Sequence, residues 1–155
     1  MQDRENRSES RPDDFVLGGQ VDRVEVSLRI VGPTLVPGRI THRLGVDPTF
    51  AAQKGDLVDR GGTRIKQNTG IWTYALAQSV EWELDDAIRT LLSRFPDNRG
   101  VWRELAQDFR IDLFCGLFLA SRNRGTELSP ETMLLLAHRH ARLGLDIYAV
   151  HPSDV

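Results

Sequence analysis

The sequence predicts an α+β fold: a single-domain sandwich with a mixed, mainly antiparallel sheet of about five strands and helices packed mainly on one face. Three observations carry this. Val24, Val26, Leu28 and Ile30 alternate with Glu25, Ser27 and Arg29, the period of two of a half-buried strand. Val80, Leu84, Ala87, Ile88, Leu91 and Phe95 recur at the spacing that gathers apolar side chains on one side of a helix. Ile111 to Leu119 is apolar at both parities, as in a central strand covered on both faces or nearly so.

In chain order, the first strand ends at Gly32-Pro33, and a short helix follows from Pro37 to Leu44. Proline suits its first turn and Gly45 its stop, but Val36 offers no side-chain acceptor to cap it. Between residues 50 and 69, Gly55, Gly61, Gly62 and Gly70 interrupt the pattern, which predicts a weak strand and an exposed hairpin or loop. Trp72, Tyr74 and Leu76 share one face of the next strand. Ser79 is placed to cap the strong helix, with Glu81 and Glu83 complementing its dipole and Pro96 ending it. A second helix spans residues 99 to 109, with Val101, Leu105 and Phe109 inward. After the apolar strand, Asn123-Arg124-Gly125 reads as a turn. Ser129-Pro130-Glu131 opens the last helix; Gly144 closes it, with His138, Arg139, His140 and Arg142 near its negative end. Leu145, Ile147 and Ala149 form a final strand. The first six elements can trace a ferredoxin-like split βαβ, with a helix and a strand added.

The 155 residues fit one domain, and 40% apolar with 27% charged side chains is a soluble globular composition. Met1 to Asp14 holds five acids, three arginines and no aliphatic residue beyond Met1, too little apolar surface to offset ordering. The expected organisation is a disordered charged tail over 1–18, one domain over 19–151 and a short tail over 152–155. That first segment has no apolar run and is no signal peptide. Beyond Asp14 the chain carries 17 acids and 17 bases, a neutral balance that argues against nucleic-acid binding. Lys54 and Lys66 are the only lysines among twenty basic residues, a bias that a GC-rich genome explains. The single cysteine, Cys115, forbids an internal disulfide or a multi-cysteine zinc site. Leu113 to Ala120, the longest apolar stretch, is far short of a membrane span. A soluble, cytoplasmic protein is expected.

Taken together, Ile40-Thr41, Leu44-Gly45-Val46, Pro48-Thr49, Gly55-Asp56, Gly70-Ile71-Trp72, Cys115, Asn123-x-Gly125 and Leu145-Asp146-Ile147-Tyr148 resemble the bacterial domain-of-unknown-function 4279 family. The resemblance covers residues 22 to 149. It departs where that family places an acidic cap and first turn before Ile-Thr, since Val36 and Gly38 stand there. It implies a small bacterial α+β domain with no established activity, and it transfers no catalytic residues.

The residues that bear chemistry are sparse. His138 and His140, two apart on a helix, point in divergent directions and cannot share an ion; His42 and His151 have no ligand at suitable spacing, so no metal and no cofactor is expected. Cys115, mid-strand among leucines and phenylalanines, reads as a buried structural thiol. Asp112 begins that apolar strand and should be ion-paired or exposed. Asp85 and Asp86 are adjacent, diverge on a helix and read as a solvated face. Gly61-Gly62 followed by Thr63, Arg64 and Lys66 offers weak anion-binding chemistry without a phosphate-loop pattern. Thr41, Thr49 and Asp56 are expected to make local cap and turn bonds to backbone.

No catalytic residues are assigned. Asp56, Arg60, Arg64, Lys66, Trp72 and Tyr74 are the candidates for ligand or partner contact, although Trp72 and Tyr74 also suit the core. The function expected is a non-enzymatic binding or interaction module with a protein partner, in one version an immunity-type protein that covers a toxin's active site. One alternative is a small-molecule-binding domain or enzyme with a site near Asp56, Arg64 and Trp72. Another is a structural homodimer joined through an edge strand such as 145 to 150.

Overall fold

The spine of the molecule is β1 (Arg23–Gly32), in which every second side chain is buried. A computed structural model describes residues 21–77, 83–120 and 124–149. The elements that follow β1 are α1 (Pro37–Leu44), β2 (Phe50–Ala52), β3 (Leu57–Arg60), β4 (Thr63–Lys66), β5 (Gly70–Ala75), α2 (Leu84–Leu92), α3 (Arg99–Asp108), β6 (Arg110–Leu119), α4 (Pro130–His138) and β7 (Arg142–Ala149). The expected tails, 1–18 and 152–155, lie outside the described residues, as do Ser79, Val80, Glu81 and Asn123.

The main sheet has the order β2-β5-β1-β6-β7, and β3-β4 forms a separate hairpin. β1 runs antiparallel to β5 and to β6, and β2 antiparallel to β5. This is the ferredoxin-like order. The addition is β6-α4-β7, whose two strands are parallel. Ile40 and Leu44 of α1, five residues of α2, Trp102 and Leu105 of α3, and Leu136 of α4 join one cluster with the inward residues of β1, β5 and β6. The helices therefore cover one face of the sheet. On the other face, the Arg23 guanidinium lies 3.7 Å from the Phe118 ring centre and that of Arg29 lies 4.4 Å from Phe114, while Tyr148 stacks on Phe118. Flat cations and rings, rather than a helical layer, cover the second side of β6. Among the described residues no helix is long and apolar enough to cross a membrane.

Several boundaries differ from expectation. The described part of α2 begins at Leu84, with Glu83 at its N-cap and no side-chain cap bond. Asp85 and Asp86, rather than Glu83, occupy the first turn of that described part, and Phe95 sits beyond its last residue. α3 turns Trp102 inward at 1% exposure, a residue that the expected Val101, Leu105, Phe109 face passes over. α4 stops at His138, well before Gly144, which lies inside β7. The stop is a Schellman closure: Ala141 N–H donates to Leu136 C=O and His140 N–H to Ala137 C=O. His140 takes the left-handed position at φ 52°, where glycine is the usual resident.

Candidate functional site

The hairpin β3-β4 carries three of the expected contact residues, Arg60, Arg64 and Lys66, without forming one cluster. Its register sets Asp59 opposite Arg64, Leu57 opposite Lys66 and Arg60 opposite Thr63. Alternation therefore puts Arg64 and Lys66 on one face with Asp59, and Arg60 on the other with Val58 and Ile65. Asp59 also accepts the Gly62 N–H at 2.9 Å, tightening the turn. Asp56 stands at the base of the hairpin, where its carboxylate accepts the Gln53 N–H at 2.7 Å and its carbonyl accepts from Gln67. Asp56, Arg60, Arg64 and Lys66 are all exposed.

Trp72 does not join them. It is fully buried, and its indole N–H donates to Thr41 Oγ1 at 3.1 Å. An indole so enclosed presents no surface to a ligand or partner, and Trp72 is withdrawn from the contact set. Tyr74 is partly buried and packs edge-on against Phe95 at 5.3 Å. Thr41 and Thr49 also correct the local reading. Thr41 bonds across to β5, and Thr49 Oγ1 donates to Thr73 C=O and accepts from Ala75 N–H. Only Asp56 keeps the short-range role.

Asp85, Asp112 and Arg139 make structural contacts, and Cys115 is buried. Asp85 is no free solvated acid: it accepts the Ser129 N–H at 2.8 Å and the Ser129 hydroxyl at 3.1 Å. Burial opposes its charge, but the Ser129 N–H, the hydroxyls of Thr132 and Ser129 and the Arg89 guanidinium together hold the carboxyl below its ordinary value. Ser129 in turn caps α4 by accepting from Thr132 N–H. Asp112 pairs with Arg110 at 2.8 Å. Burial pushes the Cys115 thiol up to about 12, so it is no nucleophile at neutral pH. His138 ends α4 and His140 lies in the turn beyond, so the two do not share a helix. Arg139 is buried at 3% exposure, donates to Leu135 C=O at 3.1 Å, approaches Asp97 at 3.7 Å and lies over Trp102. It pins the end of α4 to α3 and lines a cleft of 360 Å³ with Arg89, Ser93 and Asp97.

β7 carries a row of aliphatic side chains that the helices do not cover. Its register on β6 sets Leu143 opposite Leu113, Leu145 opposite Cys115 and Ile147 opposite Leu117. Opposed residues share a face. The β6 members are at most 4% exposed, yet Leu143, Leu145 and Ile147 are 37%, 49% and 59% exposed. The helical layer stops short of the last strand. β7 is also the end of the strand order, so one side of its backbone meets no other strand among the described residues. An aliphatic row and an open hydrogen-bonding edge thus coincide on one eight-residue strand. The opposite edge, β2, is three residues long. Sequence reasoning found β7 as a strand but could not see that α4 leaves it bare, because that depends on where the crossover helix packs.

A family model described as "Domain of unknown function (DUF4279)" matches residues 22–150. No curated protein and no solved structure matches the chain.

Proposed function

We propose that this chain, which belongs to the DUF4279 family, is a non-enzymatic interaction module that takes a protein partner by strand addition at β7. The observation that supports this reading is the coincidence on β7 of exposed Leu143, Leu145 and Ile147 with a backbone edge that meets no other strand among the described residues. Strand addition draws affinity from main-chain hydrogen bonds and selectivity from the alternate side chains. Natural sheets usually blunt such an edge by shortening it, bulging it or placing lysine on it. β2 is short, whereas β7 is long, unbroken and free of lysine. A bacterial source and a cytoplasmic setting belong to the same reading.

Site-specific photo-crosslinking in the source cell tests it. A photo-reactive side chain in place of Ile147 is expected to give one defined protein adduct, and the same group in place of exposed Arg103 on α3 is not. Equal adducts at both positions, or none at Ile147, would overturn the reading. A second contact on the hairpin is favoured by Leu57, exposed at 63% on the face that carries Arg64 and Lys66. The immunity-type version uses this arm against a toxin. Substituting Arg64→Glu and Lys66→Glu should then weaken partner capture while leaving the Ile147 adduct detectable.

A further inference from the structure

We infer that the occupant of the β7 edge is the β7 strand of a second copy of this chain, antiparallel to the first about a twofold axis through Leu145. The inference rests on the interaction reading above and names its partner. Its first support is backbone parity. Leu76 N–H donates to Val26 C=O at 3.1 Å. Even-numbered residues of β1 therefore turn their polar groups toward β5 and odd-numbered ones toward β6, because direction alternates along a strand. In the β1–β6 register Ser27 stands opposite Phe114 and Arg29 opposite Asp112. The even residues of β6 are thus bonded to β1, and Leu113, Cys115 and Leu117 turn toward β7. In a parallel pair only one member of each opposed couple faces the other strand. The partners of those three residues, Leu143, Leu145 and Ile147, consequently turn their N–H and C=O groups outward. The residues with exposed aliphatic side chains are the ones with open backbone groups.

The second support is self-complementarity. An axis through Leu145 sets Leu145 against its own copy and Leu143 against Ile147, and every one of these couples is a hydrogen-bonded one. All three aliphatic rows meet on the helix side of a continuous sheet. On the other side Gly144 lies opposite Asp146 of the copy, so nothing bulky opposes that carboxylate. Arg142 falls diagonal to Asp146 of the copy, a spacing long side chains span, and symmetry makes the contact twice. The strand carries its cation at its first position, Arg142, and its anion just past the axis, at Asp146. Antiparallel pairing therefore brings unlike charges together, whereas an in-register parallel pairing would set like against like.

Sedimentation of the full chain is expected to give twice the 17.5 kDa of one copy at micromolar concentration. Leu145→Lys should return it to the monomer with an unchanged circular-dichroism spectrum. Leu145→Cys should form an intermolecular disulfide under mild oxidation, since a hydrogen-bonded antiparallel couple sets Cα atoms about 5.5 Å apart, within disulfide range. Cys115, wholly buried, leaves the parent chain uncrosslinked as the control. A chain that stays monomeric at high concentration would overturn the proposal, as would a dimer that survives Leu145→Lys or fails to cross-link through Leu145→Cys. A monomer whose 142–149 amides are nonetheless protected from exchange would place another segment of the same chain on the edge, and would overturn it equally. A monomer that still yields an Ile147 adduct with a different protein would sink this inference and leave the interaction reading standing.

Discussion

At the scale of single residues, the side chains that look most chemical in the sequence turn out to hold elements together. Asp85 is the sharpest example, because one carboxylate on α2 receives both the N–H and the hydroxyl of Ser129, the residue that caps α4. Removing it with Asp85→Ala should cost about 1–2 kcal/mol at neutral pH, measured by denaturant unfolding. Its folded-state pKa is depressed below the ordinary 3.8. Its contribution is therefore present above that value and is lost as the pH falls through the lower folded one. The stability gap between parent and Asp85→Ala should accordingly close in acid below 3.8; a gap that persists there would mean the carboxylate charge is not what matters. Cys115 was legible as a buried thiol from its neighbours alone, because an apolar strand in both parities leaves no exposed position. Asp85 was not, since Ser129 lies 44 positions away in the chain.

The strength of local signals at the element scale decides what the sequence shows. α1 runs from Pro37 to Leu44, with Gly45 in the left-handed cap at φ 68° and no side-chain cap from Val36, each as its residues dictate. Proline and glycine constrain the backbone through their own geometry, so such boundaries survive any tertiary context. The end of α4 escaped because a histidine occupies the left-handed position, and the nearest glycine, Gly144, belongs to a strand. A side chain there carries strain that glycine lacks. His140→Gly should raise stability by about 1 kcal/mol, read as a higher denaturant midpoint with unchanged slope. A neutral or negative effect would show that the imidazole makes a compensating contact. Gly70 has a different reason: a Cβ there would come within 2.8 Å of Leu35 Cβ and its carbonyl oxygen, so the start of β5 tolerates no side chain.

At the scale of the whole molecule, Phe95 ties the chain together from just beyond α2. Its ring meets Trp72, Tyr74 and Trp102 edge-on at centre distances of 6.1, 5.3 and 6.1 Å. Phe95→Ala should therefore destabilise by about 3–5 kcal/mol, lowering the unfolding midpoint followed by Trp emission. A loss under about 1 kcal/mol would mean the aromatic cluster collapses to fill the cavity. The same scale determines the candidate site. Periodicity in β1, the mixed parity of β6 and the Pro and Gly punctuation of α1 indicated an α+β domain, because each of these follows from backbone geometry and solvent on the residues concerned; the split βαβ strand order came from the tertiary structure. Those local rules could not report that Trp72 bonds Thr41 inside the core, that Arg64 and Arg60 part to opposite hairpin faces, or that α4 leaves Leu143, Leu145 and Ile147 uncovered. These are outcomes of register and of where a helix comes to rest on a sheet. They are fixed by contacts between residues far apart in the chain, which no local pattern encodes.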